Sequence, residues 1–221
     1  MLKTILHYLY DPLCGWCYGA APLVTAARAI VTVRAHGGGM MAGANRRRVT
    51  PQVRSYVAHH DQRIAQISRQ VFGERYREGL LRDTSVVLDS EPPIAAVLAA
   101  DQIGSRGLDM LERLQVAHYV HGRRIADRAV LVSVAAELGL EARIFEETLA
   151  QVQGKPTQHH ISESRALLER VGSEGFPTFA LEADGRLSVI DLSAHLGHPL
   201  QWQAWLRTQV SALEPSPVGS I

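Results

Sequence analysis

Cys14 and Cys17 are the chain's two cysteines, and they stand three positions apart in Cys14-Gly15-Trp16-Cys17. Where such a pair opens a helix, both side chains share one face about one turn apart, a separation that suits a disulfide. The first-turn N–H groups of a helix lack intrahelical partners and carry the positive end of its dipole, so a thiolate at Cys14 is stabilised there. Thiolate is the nucleophile of disulfide exchange. Cys14 can attack a substrate disulfide, and Cys17, deeper along the helix, can release the mixed disulfide by attacking Cys14. The same spacing is also half of a zinc site, whose two further ligands would have to be histidine or carboxylate, there being no third cysteine.

The elements around the pair favour the dithiol reading. Thr4 to Tyr10 is rich in aromatic and aliphatic residues and ends at Asp11-Pro12, which predicts a buried strand stopped by proline. From Cys14 to about Ile30, Ala20, Leu23, Val24, Ala27 and Ile30 recur at helical spacing, with Pro22 expected to kink the helix. Val31 to His36 reads as a second strand, ending in Gly37-Gly38-Gly39. The CxxC therefore sits at a strand-to-helix junction inside a βαβ unit, the context that makes this motif specific.

Beyond Thr50 the pattern changes. As far as Val152 there is almost no strand-like alternation, while Thr50-Pro51 opens one helix, Ser90 caps one running to Ile103, and Asp127 caps one ending at Leu138-Gly139. Gly154-Lys155-Pro156 marks a return, followed by a helix over 162–171. Strands resume at 177–181 and 187–190 around the turn Ala183-Asp184-Gly185-Arg186. A last helix spans 199–213, and 214–221 reads as a frayed tail. These segments predict an α/β domain built from residues 1–44 and 155–221, interrupted by an all-α insertion over 45–154.

Bulk composition narrows the function classes. The 221 residues are 46% hydrophobic and 20% charged, ordinary for a globular chain, with a formal net charge of +1. No global field draws nucleic acid or an anionic membrane. No run approaches the roughly 18 apolar residues of a membrane span. His7 and Asp11 break the N-terminal apolar run too early for a signal peptide, which predicts a cytoplasmic protein. In that reducing compartment a cysteine pair is catalytic or metal-binding rather than a structural bridge.

Tyr10-Asp11-Pro12-Leu13-Cys14-Gly15-Trp16-Cys17, together with Gly175-Phe176-Pro177-Thr178-Phe179 and the order of elements, resembles the thioredoxin superfamily, in particular its DsbA-like branch with a helical insertion. The resemblance implies a thioredoxin fold and a protein-disulfide oxidoreductase or isomerase. It makes Pro177 the cis-proline facing the CxxC, preceded by Phe176, and assigns Trp16, Phe176, Pro177 and Thr178 to substrate binding. Such a loop offers its backbone to a substrate peptide as an added strand. The implied cofactor is none beyond the redox-active Cys14–Cys17 disulfide, with glutathione as a co-substrate and no metal. The implied partners are protein or small thiol and disulfide substrates. Gly15-Trp16 lacks the histidine of strongly oxidising relatives and the proline of thioredoxin, which leaves the redox poise open. The resemblance also calls for a buried carboxylate beneath the resolving thiol. Asp11 is near in sequence and could tune the proton transfer, but its expected role is a turn cap.

Other constellations read as structural. His118 with His121, His59-His60 and His159-His160 are read as surface or packing residues. Arg46-Arg47-Arg48 is read as a solvated loop, Met40 and Met41 as packing or a pliable substrate contact, and Tyr18 as packing beneath the site. Two rival functions use the same fold. One is a glutathione-dependent transferase or isomerase of the kappa type, which the second cysteine disfavours. The other is a metal- or peptide-binding module.

Overall fold

The structure, a computed structural model, describes residues 4–213; the tail expected over 214–221 lies outside the described residues. Strand β1 (Ile5–Tyr10) leads into helix α1 (Gly15–Arg28), and β2 (Thr32–Gly37) returns parallel to β1, giving the expected βαβ unit. Far along the chain, β5 (Thr178–Ala183) and β6 (Arg186–Ile190) complete one mixed sheet in the order β2-β1-β5-β6. Asp184 and Gly185 both take positive φ, at 50° and 75°, as a tight two-residue hairpin turn requires. The register sets Tyr10 against Gly37 and Leu9 against Thr178, so the ends of three strands meet where the CxxC begins. The sheet, with its helices inserted between β2 and β5, has the α/β architecture that the resemblance implies.

The inserted stretch carries α2 (Pro51–Ser68), α3 (Glu91–Gly104), α4 (Gly107–Tyr119), α5 (Arg128–Glu137) and α6 (Ala142–Val152), followed by α7 (Lys155–Arg170). Thr50 caps α2 as expected, its hydroxyl accepting from the Val53 N–H at 3.2 Å. Helix α3 is buried along most of its length and rich in alanine (Ala95, Ala96, Ala99, Ala100), so α4, α5, α6 and α7 all pack against it.

Three expectations are corrected. Arg47 and Arg48 are not in a loop: they form the two-residue strand β3, antiparallel to β4 (Val87–Leu88). Helix α7 starts at Lys155 rather than at 162. Gly154, at φ 73°, ends the preceding chain run, and Pro156 sits in the first turn, where no N–H donor is needed. Ser90 and Asp127 occupy N-cap positions, but neither side chain makes a capping bond. Pro22 is accommodated inside α1: the Tyr18 carbonyl that its missing N–H would have bonded accepts instead from Gln70 Nε2 at 3.0 Å.

Helix α8 (Pro199–Leu213) closes the structure over α1. Trp202 is fully buried, donates from Nε1 to the Leu23 carbonyl at 2.9 Å, and meets the Phe179 ring edge-on at 5.8 Å. It thus joins α8, α1 and the sheet. Trp202→Ala is expected to destabilise the protein by about 3–5 kcal/mol; a urea midpoint within experimental error of the parent would show that this side chain is not a core member.

Candidate active site

Cys14 is the N-cap residue of α1 and Cys17 lies in its first turn, so the strand end, the turn and the helix start position both sulfurs. Asp11 anchors that turn. Its carboxylate is fully buried and takes Leu13 N–H and Ser90 Oγ–H on Oδ1, each at 2.9 Å, and Met40 N–H on Oδ2 at 2.5 Å. Ser90 Oγ in turn accepts from the Met41 N–H at 3.0 Å. The serine read as a helix cap therefore ties α3 to the active-site turn. Asp11 does cap a turn as expected, and it also links β1, the loop after β2 and α3. Burial raises its carboxyl to about 6, against the lowering effect of its hydrogen bonds.

The two thiols occupy different environments. Cys17 is fully buried, and the Asp11 N–H points at its Sγ at 3.5 Å. Burial, then the neighbouring Cys14 sulfur, holds the Cys17 thiol well above its ordinary range. Cys14 is 6% exposed, and its Sγ–H donates to the Phe176 carbonyl at 3.3 Å. The loop before β5 thus lies directly against Cys14, and the Phe176–Pro177 peptide bond is cis.

Of the residues expected to meet substrate, Phe176 and Trp16 are half-buried beside Cys14. The Phe176 ring lies over Gly38, where a Cβ would come within 2.0 Å of it, so only glycine leaves room. The Trp16 ring carries the Arg63 guanidinium 5.8 Å from its centroid. Thr178 is buried, and its hydroxyl is engaged inside the loop with the Gly175 carbonyl at 2.7 Å and Ser173 Oγ at 2.6 Å.

The insertion contributes residues that sequence reasoning missed. Asp61 of α2 lies against the CxxC: a Cβ on Gly15 would stand 3.1 Å from its Oδ1. Tyr76, in a π-helical turn over Arg75–Gly79, donates its hydroxyl to Asp61 Oδ2 at 2.9 Å, and His118 packs on the Tyr76 ring. Burial lifts Asp61 to about 7 and lowers His118 to about 4. The available signal was periodicity, since Val57, Asp61, Ile64 and Ser68 mark one face of an otherwise polar helix. His118 is a packing residue as expected, but in the wall of the site; Met40 and Met41 line the same wall. Tyr18 packs beneath, stacked on Tyr119 at 4.8 Å. His160 accepts from the Gly37 N–H at 3.0 Å. Among the described residues no three His, Cys, Asp or Glu side chains are grouped to hold a metal ion, and no helix is long and apolar enough to cross a membrane.

A family model described as a DSBA-like thioredoxin domain matches residues 5–194. Among solved structures, the cytosolic disulfide reductase DsbM from Pseudomonas aeruginosa is 54% identical, with 94% of this chain and 99% of that one covered and a TM-score of 0.89. DsbM solved with GSH gives 51% identity, 94% and 99% coverage and a TM-score of 0.87. A 2-hydroxychromene-2-carboxylate isomerase, 16% identical with 96% and 100% coverage and a TM-score of 0.57, shares the fold alone. No curated protein matches.

Asp61 gives the site a pH signature. Its folded-state value of about 7 lies above the roughly 3.9 of an unfolded aspartate, so the folded protein holds the extra proton between those limits. Its contribution to stability is full below about pH 4 and is lost as pH rises through 7. Asp11 acts in the same direction, while His118, lowered to about 4, loses its contribution as pH falls. Asp61→Asn isolates the first effect: its stability relative to the parent is expected to rise between pH 4 and 7 and level off above. Parallel urea midpoints across that range would show that the carboxyl is not held protonated.

Proposed function

The chain belongs to the DSBA-like thioredoxin domain family and is an enzyme of the disulfide oxidoreductase type; we propose that it reduces disulfides in the cytosol with the Cys14–Cys17 dithiol and draws its electrons from glutathione. The observation that carries this reading is the position of Cys14 at the N-cap of α1, with its sulfur 3.3 Å from the Phe176 carbonyl. A thiolate there meets the unpaired first-turn N–H groups, and a substrate bound along the Phe176-Pro177-Thr178 backbone would bring its disulfide to that sulfur. Trp16 lines the cavity beside that sulfur.

The steps follow from the two environments. The Cys14 thiolate attacks one substrate sulfur, forming the Cys14 mixed disulfide and expelling the other half as a thiolate. Cys17, kept protonated by burial at rest, then loses its proton and attacks Cys14 Sγ. The second half leaves as a thiol and the Cys14–Cys17 disulfide closes, two electrons having passed to the substrate. Two molecules of glutathione reverse the closure, forming oxidised glutathione and restoring both thiols. The relation to DsbM, a cytosolic disulfide reductase also solved with GSH, supports the direction of flux and the choice of reductant.

Equilibration in graded glutathione buffers tests the reading. One two-electron couple is expected, absent from both Cys14→Ser and Cys17→Ser. Cys14→Ser should lose disulfide reduction on the order of a thousandfold or more, whereas Cys17→Ser should accumulate one glutathione per chain on Cys14, visible by mass. If no intramolecular disulfide closes at any poise, the dithiol mechanism is wrong.

A further inference from the structure

A cavity of about 200 Å³ opens beside Cys14, between the start of α1 and the inserted helices. Its apolar wall includes Leu13, Trp16, Met40, Met41, Val57 and Ile64. Three of its buried lining residues are polar at their tips: Asp61, Tyr76 and His118. Tyr76 occupies Asp61 Oδ2, while Oδ1 lies towards the Gly15 backbone. His118 is 4% exposed, and among the described residues its Nδ1 has no hydrogen-bond partner. A buried ring nitrogen without a partner is costly in a packed wall and is satisfied at little cost by a ligand bearing a polar group.

An apolar enclosure with a few convergent polar groups is the usual form of a small-molecule site. Size limits the occupant. An apolar cavity of about 150 Å³ admits a benzene ring, so this one admits a single aromatic ring with a small polar substituent. The two methionines can adjust to its faces. Access limits the occupant further: Cys14 is 6% exposed and held against Phe176, so its sulfur is recessed. A disulfide embedded in a folded protein surface reaches such a sulfur poorly, whereas a small disulfide reaches it freely.

We infer that this cavity is a specificity subsite for low-molecular-weight mixed disulfides in which the thiol half transferred to Cys14 carries one hydroxyl-bearing aromatic ring, the ring lying among Met40, Met41 and Val57 and its hydroxyl meeting Asp61 and His118. This rests on Cys14 being the attacking thiol, as proposed above. The exchange balances as before: Cys14 bonds to the aryl-bearing sulfur and expels glutathione thiolate, Cys17 then releases the aryl thiol, and two further glutathione molecules restore the dithiol.

The test compares kcat/KM for two mixed disulfides of glutathione, one with 4-hydroxybenzyl thiol and one with 2-hydroxyethanethiol. The aromatic substrate is expected to be preferred about tenfold or more, and Val57→Trp, which fills the cavity, should bring the ratio close to one. Taking the ratio cancels any general loss of activity in the variant. In parallel, 4-hydroxybenzyl alcohol titrated into the reduced parent should shift the His118 ring resonances saturably. Equal kcat/KM values in the parent, or no His118 shift at millimolar alcohol, would overturn the subsite. Faster reduction of a peptide disulfide with tyrosine beside its cysteine would overturn the small-molecule assignment in favour of a side chain. Failure to reduce either mixed disulfide would count instead against Cys14 as the nucleophile.

Discussion

The Asp11 carboxylate is fully buried and pairs with no cation among the described residues, so the three donors that converge on it hold its position. Each donor comes from a different piece of the molecule: the turn before Cys14, the loop after β2, and the start of α3. Leaving such a group unpaired would be expensive, so the three pieces must arrive together or not at all. The Asp11 backbone completes the arrangement. Its carbonyl accepts from the Cys14 N–H at 3.1 Å, and its own N–H faces the Cys17 sulfur. One residue thus couples the geometry of the dithiol to the docking of the inserted helices. The neighbouring loop is held from its other side by Arg165, which donates to the Gly38 and Gly39 carbonyls.

The insertion builds the other side of the site. Gly15 and Gly19, one helical turn apart, let α2 approach so closely that Ile64 would lie 2.9 Å from a Cβ at either position. That approach brings Asp61 to the CxxC. Below it, Tyr18, Phe72, Tyr76 and Tyr119 form an aromatic cluster that fastens α1 to the insertion. Aromatic pairs at these separations favour offset or edge-on contact, which fixes orientation as well as distance. The Cys14 sulfur at the helix cap thereby has a largely apolar cavity on one side and the Phe176-Pro177 loop on the other.

Legibility from sequence followed locality. The helix opened by Thr50, the turn at Asp184-Gly185 and the final helix from Pro199 were readable because their signals lie within a few residues. Ser90 was misread because its residue type and position satisfied the capping rule, while its hydroxyl bonds Asp11, 79 residues away. The start of helix α7 is hidden in the sequence because Gln158-His159-His160 is polar and masks the period, while Gly154 and Pro156 act as boundary residues for either a turn or a helix start. Arg47 and Arg48 could not show as a strand, since two residues carry no period and their partner, Val87–Leu88, lies 40 residues on.

From the sequence alone come the spacing of Cys14 and Cys17, their place at a strand-to-helix junction and the outline of the fold. Those depend on spacing within one turn or one strand, where covalent geometry alone decides which side chains share a face. The tertiary structure decided what surrounds the sulfurs: the Phe176 carbonyl 162 residues from Cys14, the Ser90 hydroxyl on Asp11, and the Asp61, Tyr76 and His118 wall. Each of those contacts arises from burial of apolar faces on separate elements. A polar side chain carried on such a face shows its partner only when both faces have closed.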